Sequence, residues 1–221
     1  MNYKEEFITF MVESGVLTFG DFVTKSGRPT PYFINTGNYK TARQIAKLGD
    51  YYAACIKENM IDSVDALYGP AYKGIPLVVT AAASLYRDYQ IDIPYAFNRK
   101  EAKDHGEGGS LIGYKPQPRD RIGIVEDVIT AGKSVRESIE TLKSMDVEVT
   151  SLIVSVDRME RGEGELSAIQ EIKKEFGITT YPIVTIREIV AFLHNREIDG
   201  KIVVDDEMKA KIETHLKAYG V

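Results

Sequence analysis

The stretch Arg121–Ser134, RIGIVEDVITAGKS, constrains this chain more than any other. Ile122, Ile124 and Val125 form a short apolar, β-branched run that suits a strand buried on both faces of a parallel sheet. Two carboxylates, Glu126 and Asp127, follow at once. Then come Thr130-Ala131-Gly132-Lys133-Ser134 and a pattern that reads as helix from Val135 to Lys143. Strand, acid pair, glycine-containing loop and helix make a βα unit. Its loop lies at the carboxyl end of the strand, where open α/β sheets place their ligands.

The order of these groups suggests a chemistry. A glycine turn opening a helix offers unpaired backbone N–H groups at the positive end of the helix dipole, which favours an anion such as phosphate on residues 130–134. Two carboxylates beside an anion must face another part of the ligand, and hydroxyls or a metal are what they can serve. A ribose 5-phosphate satisfies both halves. The plainer alternative, solvent-facing acids before an ordinary turn, stays open on this pattern alone. Gly132-Lys133-Ser134 copies the tail of a Walker A loop, but Asp127 stands where that motif needs its first glycine. No G-x-G-x-x-G follows a strand, so the dinucleotide fingerprint is absent as well.

A chain of 221 residues, 43% of them hydrophobic, has enough apolar content for one domain with a proper core. Its net charge of −5 offers no general attraction to nucleic acid or to an anionic membrane, so an anion site must come from local clusters. The single cysteine, Cys55, rules out an internal disulfide and fits a reducing compartment. Lys4, Glu5 and Glu6 interrupt the amphipathic start, which is no signal peptide, and the run Ile75–Ala83 is too short to span a bilayer. A cytoplasmic protein is expected.

Along the chain, helices are expected at 2–14, 41–59, 75–87, 135–143, 166–176, 185–194 and 206–219. Strands are expected at 32–34, 66–68, 93–97, 111–114, 122–125 and 147–156, with a short edge strand at 181–184. Their alternation predicts an α/β fold with a central, mainly parallel sheet flanked by helices. Residues 1–35 do not fit the alternation and are expected to form a small N-terminal hood over the carboxyl edge of the sheet. Gly69-Pro70-Ala71-Tyr72-Lys73-Gly74 opens a helix with a lysine at the positive end of its dipole, an arrangement that makes sense beside an anion. Residues 98–110 carry Arg99, Lys100, Lys103 and His105 among glycines, with only Ala102 apolar. They are expected to be a mobile lid loop rather than a plain surface loop.

Five segments carry a family resemblance. IVEDVITAGKS resembles the phosphoribosyl-diphosphate (PRPP) loop of type I phosphoribosyltransferases, and YGPAYKGIPL their pyrophosphate loop. TKSGRPTPYF resembles the hood segment, FNRKEAKDHGEGG the catalytic lid and VSVDRMERGE the base-side segment of the orotate phosphoribosyltransferases. Taken in order, they cover the chain nearly end to end. The resemblance implies a single type I phosphoribosyltransferase-like domain over 1–221 with a hood, and no fused orotidylate decarboxylase. The implied reaction transfers 5-phosphoribosyl from PRPP to orotate, giving orotidine 5′-monophosphate and diphosphate in pyrimidine biosynthesis. A purine-type phosphoribosyltransferase would share the PRPP loop, but the hood segment and DRMERGE argue against it. A non-catalytic PRPP-binding regulator would need a basic nucleic-acid-binding face, which this chain lacks.

The resemblance also implies residue roles. Glu126 and Asp127 would hold the ribose hydroxyls. Val128 and Ile129 would belong to the PRPP loop, and Thr130, Ala131, Gly132, Lys133 and Ser134 would bind the 5-phosphate. Lys25, Tyr72, Lys73, Arg99, Lys100, Lys103 and His105 would meet the PRPP side, mostly its diphosphate, with Lys73, Arg99, Lys103 and His105 as the catalytic groups. Phe33, Ile34, Thr130 and Arg158 would contact orotate. Mg²⁺ would be carried in by PRPP with no direct protein ligand, Glu126 and Asp127 reaching it only through water. The implied assembly is a homodimer that shares lid residues between subunits. Two positions depart from the usual pattern: Glu126 stands where many relatives have an aspartate, and Ile34 where they have an aromatic. A glutamate still reaches a hydroxyl, and Ile34 would meet orotate through its backbone.

Overall fold

Parallel strands must be covered on both faces, and the apolar runs of this chain supply two cores to do so. The computed structural model describes all residues except 25–26, 104–108, 130–131 and 163, with backbone alone at 100–103 and 109–110. Helix α1 (Tyr3–Glu13) leads into β1 (Leu17–Val23) and β2 (Pro29–Ile34), which pair antiparallel as a sheet of their own. Helix α2 (Ala42–Asn59), β3 (Ala66–Gly69), α3 (Gly74–Tyr89), β4 (Tyr95–Lys103), β5 (Gly109–Gly113), β6 (Arg121–Val125) and α4 (Lys133–Lys143) follow. Next are β7 (Glu148–Asp157), α5 (Ala168–Phe176), β8 (Thr179–Thr185), α6 (Ile186–Leu193) and the two-residue strands β9 (Glu197–Ile198) and β10 (Lys201–Ile202). Helix α7 (Asp206–Tyr219) closes the chain.

The main sheet has the order β5-β4-β3-β6-β7-β8, parallel except for the antiparallel edge pair β4–β5. Side-chain alternation splits its residues between two layers. Leu67, Val125 and Ile153 join the core under α1, α2, α3 and α6, while Tyr68, Ile124, Leu152 and Val154 join the core under α4 and α5. After β3 the chain runs through α3 on the first face to β4. After β6 it runs through α4 on the opposite face to β7. The winding therefore reverses between β3 and β6. That reversal leaves a crevice at their carboxyl ends, the usual ligand position in such sheets.

Two expectations differ from what is observed. The described part of 98–110 is not loop, because β4 continues through Lys103 and pairs with β5 as a hairpin (Asn98↔Leu111, Lys103↔Gly109). Backbone pairing needs no apolar side chains, so a polar composition concealed the strands. The hood is also composed differently from 1–35. Helix α1 buries Phe7, Ile8, Phe10 and Met11 in the layer over the main sheet, and α7, from the far end of the chain, packs on β2.

Among the described residues no helix is long and apolar enough to cross a membrane.

Candidate functional site

Five helices carry a side-chain N-cap: Asn2, Thr41, Ser167, Thr185 and Asp205 each accept from a backbone N–H of the first turn. Among the described residues, α3 and α4 have none and carry no acid in their first turn. These are the two helices that open at the crevice. In α3 the Gly74 and Ile75 N–H groups donate to the Pro70 and Tyr72 carbonyls at 2.9 and 3.4 Å, and Pro76 has none. So α3 turns chiefly its dipole toward the crevice, beside the first turn of α4, a setting that favours an anion. Gly132, at φ +69°, turns the chain into α4 in the left-handed region that favours glycine. Gly69 ends β3 under the turn into α3. A Cβ there would lie 2.3 Å from the Gly74 carbonyl oxygen and 2.6 Å from Val78, so the loop 70–73 closes over a position that admits no side chain. The loop is tied to β4 by the Ala71 N–H, which donates to Asn98 Oδ1 at 2.7 Å.

Between the two helix openings sit the adjacent carboxylates. Glu126 is only 6% exposed. It accepts from Ser134 Oγ and from the Asp127 N–H, each at 3.0 Å. Burial, reinforced by the charge of Asp127, pushes its carboxyl up to about 7. Asp127 behaves oppositely. Burial would raise it, but hydrogen bonds from Lys73 Nζ (2.8 Å) and Thr36 Oγ1 (2.7 Å) outweigh that and hold it below the ordinary aspartate value. Lys73 also donates to Thr36 Oγ1 at 3.1 Å. The backbone under the pair is fixed from two elements: Tyr52 of α2 donates to the Glu126 carbonyl at 2.7 Å, and Ser155 of β7 to the Asp127 carbonyl at 2.6 Å. A cleft of about 350 Å³ opens beside it, lined by Glu126, Val128, Ile129, Gly132, Lys133, Ser134, Val135 and Glu137.

A second cluster lies past the carboxyl end of β7, where β2 and α7 meet. The Glu160 side chain, 9% exposed, is surrounded by donors. Arg158 Nη2 reaches its two oxygens at 3.0 and 3.3 Å, His215 Nε2 stands at 3.0 Å, Arg28 Nη1 at 3.7 Å, and the Tyr32 hydroxyl donates to it. Burial would raise this carboxyl, but the Arg158 charge and the bonds from Tyr32 and His215 keep it low. Arg158 lies over the Tyr32 ring at 4.8 Å, with Thr30 Oγ1 at 3.5 Å.

The crevice thus gathers Lys73, Glu126, Asp127, Val128, Ile129, Gly132, Lys133 and Ser134. Exposed Tyr72 sits in the loop before α3, and Arg99, half-buried, lies on β4. Lys25, His105, Thr130 and Ala131 fall outside the described residues, as do the side chains of Lys100 and Lys103. On the base side the grouping is looser than expected. Strand alternation turns Phe33 away from Tyr32, onto Phe22 at 5.7 Å between ring centres, so its side chain and Arg158 lie on different faces of the β1–β2 hairpin. Ile34 packs against the core. Sequence reading missed Thr36, Tyr52, Asn98, Ser155, Glu160 and His215. A hydroxyl between two valines at the carboxyl end of a strand, as at Ser155, was a usable signal; the others announce themselves only through partners far away in sequence.

Among the described residues no three His, Cys, Asp or Glu side chains gather as a metal cage. Glu126 and Asp127 would suit a Mg²⁺ ion that keeps its waters, facing it through them rather than caging it.

Residues 35–181 match the phosphoribosyl transferase domain family. The orotate phosphoribosyltransferase of Clostridium beijerinckii is 56% identical over 219 residues, 99% of this chain and 98% of its own. That of Colwellia psychrerythraea is 44% identical over 223 residues, 100% of this chain and 99% of its own. The crystal structure of Francisella tularensis orotate phosphoribosyltransferase superposes with a TM-score of 0.86 at 34% identity, covering 98% of this chain and 100% of its own.

The raised Glu126 carboxyl has a measurable consequence. Between its ordinary 4.5 and about 7, the folded protein keeps a proton that the unfolded chain releases, so this group costs stability as pH rises through that window. Glu126→Gln removes the cost. Its stability is expected to exceed that of the parent by about 1 kcal/mol at pH 8, roughly 2–4 °C in Tm, with the gap closing toward pH 4.5 in thermal melts.

Proposed function

The chain belongs to the orotate phosphoribosyltransferases of the phosphoribosyl transferase domain family, and we propose that it carries out their reaction in the crevice between β3 and β6. It transfers 5-phosphoribosyl from PRPP to orotate, releasing diphosphate and orotidine 5′-monophosphate for pyrimidine biosynthesis. The observation that carries the placement is the pair of uncapped helix N-termini flanking two carboxylates of unequal acidity. One opening suits the 5-phosphate, on Thr130, Ala131, Gly132, Lys133 and Ser134. The other suits the diphosphate, beside Tyr72 and Lys73. Glu126 and Asp127 between them suit the ribose hydroxyls.

Charge sets the mechanism. Bond breaking at the ribose C1 builds positive charge on the sugar while negative charge grows on the departing diphosphate. Lys73, now held by Asp127 and Thr36, would turn to the diphosphate when PRPP arrives, freeing Asp127 for a hydroxyl. Arg99, Lys103 and His105, with Lys25 and Lys100, would complete the cationic enclosure. Closure of residues 98–110 over the crevice would exclude water, which competes with orotate for C1. Orotate would lie toward Arg158, whose guanidinium suits a planar anionic base, with Phe33, Ile34 and Thr130 at its edge. Bound Mg²⁺ would neutralise diphosphate charge, with Glu126 and Asp127 facing it through water. No enzyme nucleophile is needed.

The assembly would be a cytoplasmic homodimer whose lids cross between subunits. Support comes from α3, where Pro76, Val79, Ala83 and Tyr86, at helical spacing, leave an apolar stripe in solvent next to exposed Tyr72.

Loss of orotate absorbance on adding PRPP and Mg²⁺ tests the reaction; an inert orotate with a reacting purine base gives the site to purine chemistry. Lys103→Ala is expected to cut turnover by about 100-fold or more with an unchanged melt, and near-normal turnover removes Lys103 from the mechanism. Val79→Lys is expected to halve the mass seen by sedimentation, and an unchanged mass puts the dimer contact elsewhere.

A further inference from the structure

A buried carboxylate is costly unless donors surround it, and Glu160 has four. Tyr32 and Arg28 come from β2 and the turn before it, Arg158 from the segment after β7, and His215 from α7. One of these donors is the arginine assigned above to orotate. The contacts fix Arg158 from three directions. Glu160 takes Nη2 at 3.0 Å, the Tyr32 ring lies 4.8 Å beneath the guanidinium carbon, and Thr30 Oγ1 approaches to 3.5 Å. Among the described residues, its Nε and Nη1 groups have no protein partner.

An arginine side chain is long and loses rotamer freedom when it clamps a ligand from an unrestrained start. One already held loses less on binding. Charge also matters. Glu160 offsets only one of the two guanidinium charges of Arg28 and Arg158, so the cluster stays cationic toward an incoming carboxylate while its arginines are kept from repelling each other. His215 closes the back of Glu160 at 3.0 Å. With the carboxylate ionised, Nε2 must be the protonated nitrogen that donates.

We propose that Glu160 is a positioning residue for orotate recognition, presenting the free edge of Arg158 to the base, and that the C-terminal helix takes part by holding Glu160 through His215. This rests on the reading of Arg158 as an orotate contact. It adds a residue whose carboxylate repels the substrate's own charge, yet whose loss weakens binding of that substrate.

The test is steady-state kinetics of the full-length enzyme with orotate and PRPP varied separately, alongside thermal melts. Glu160→Gln is expected to raise KM for orotate about tenfold while moving KM for PRPP less than about twofold. Tyr32→Phe, which keeps the ring and removes one donor, and His215→Gln are expected to raise orotate KM about threefold in the same selective way. Arg158→Lys is expected to raise orotate KM at least as far as Glu160→Gln. The double variant should be no worse than Arg158→Lys alone, since both changes remove one interaction. If Arg158→Lys raises orotate KM but Glu160→Gln and Tyr32→Phe leave it unchanged, the positioning role is overturned and the Arg158 assignment stands. If Arg158→Lys itself leaves orotate KM unchanged, the assignment fails and takes the proposal with it. Equal changes in both KM values with a lowered melt reduce Glu160 to a fold contact. Should Glu160→Gln not fold, Tyr32→Phe decides by the same criterion.

Discussion

The reversal of winding between β3 and β6 is the constraint from which the rest of the molecule follows. A parallel sheet is covered by its own crossover helices, and where the winding changes face no crossover roofs the strand ends. Two helices begin there instead. Among the described residues every other α-helix caps its first turn with a side chain, whereas α3 and α4 face the same space without one. The bare glycine at the end of β3 and the left-handed glycine before α4 are what let both turns fit around it. Two helix ends with no side-chain cap facing one space are what the proposed pair of anionic groups would use.

Within that space the chain manages charge by pairing unlike acids. Asp127 is stabilised as an anion by Lys73 and Thr36, while Glu126, one residue earlier, is buried deeply enough to hold its proton near neutrality. Two full negative charges side by side would repel a phosphorylated ligand; a raised Glu126 and a lysine on Asp127 lessen that repulsion. A protein with a net charge of −5 thereby keeps a locally receptive cleft.

Much of this was legible in the sequence. The β-branched runs gave β6 and β7, helical periodicity gave α1 to α3, and RIGIVEDVITAGKS gave the turn with its acids. The polar extensions of β4 and β5, beyond the strands expected at 93–97 and 111–114, were not legible, because they pair through backbone groups that every residue has. Nor were the residues that hold the site from outside it. Thr36 lies 91 residues from Asp127, Tyr52 lies 74 from Glu126, and Tyr32 lies 128 from Glu160. No local pattern encodes such distances. The placement of α7 against β2 was hidden for the same reason, since its apolar face, Ile212 and Leu216, would suit any hydrophobic surface.

The union of β2, the segment after β7 and α7 around one carboxylate also bears on the order of assembly. Contacts between chain segments this far apart close late in folding, because long loops must be ordered first. The loop between β6 and α4, proposed above for the sugar phosphate, is local and would form early, whereas the cluster around Glu160, proposed for the base, would wait for α7 to dock. A growing chain would therefore hold a recognisable phosphate cradle before it could tell one base from another, and discrimination would arrive with the final turn of α7.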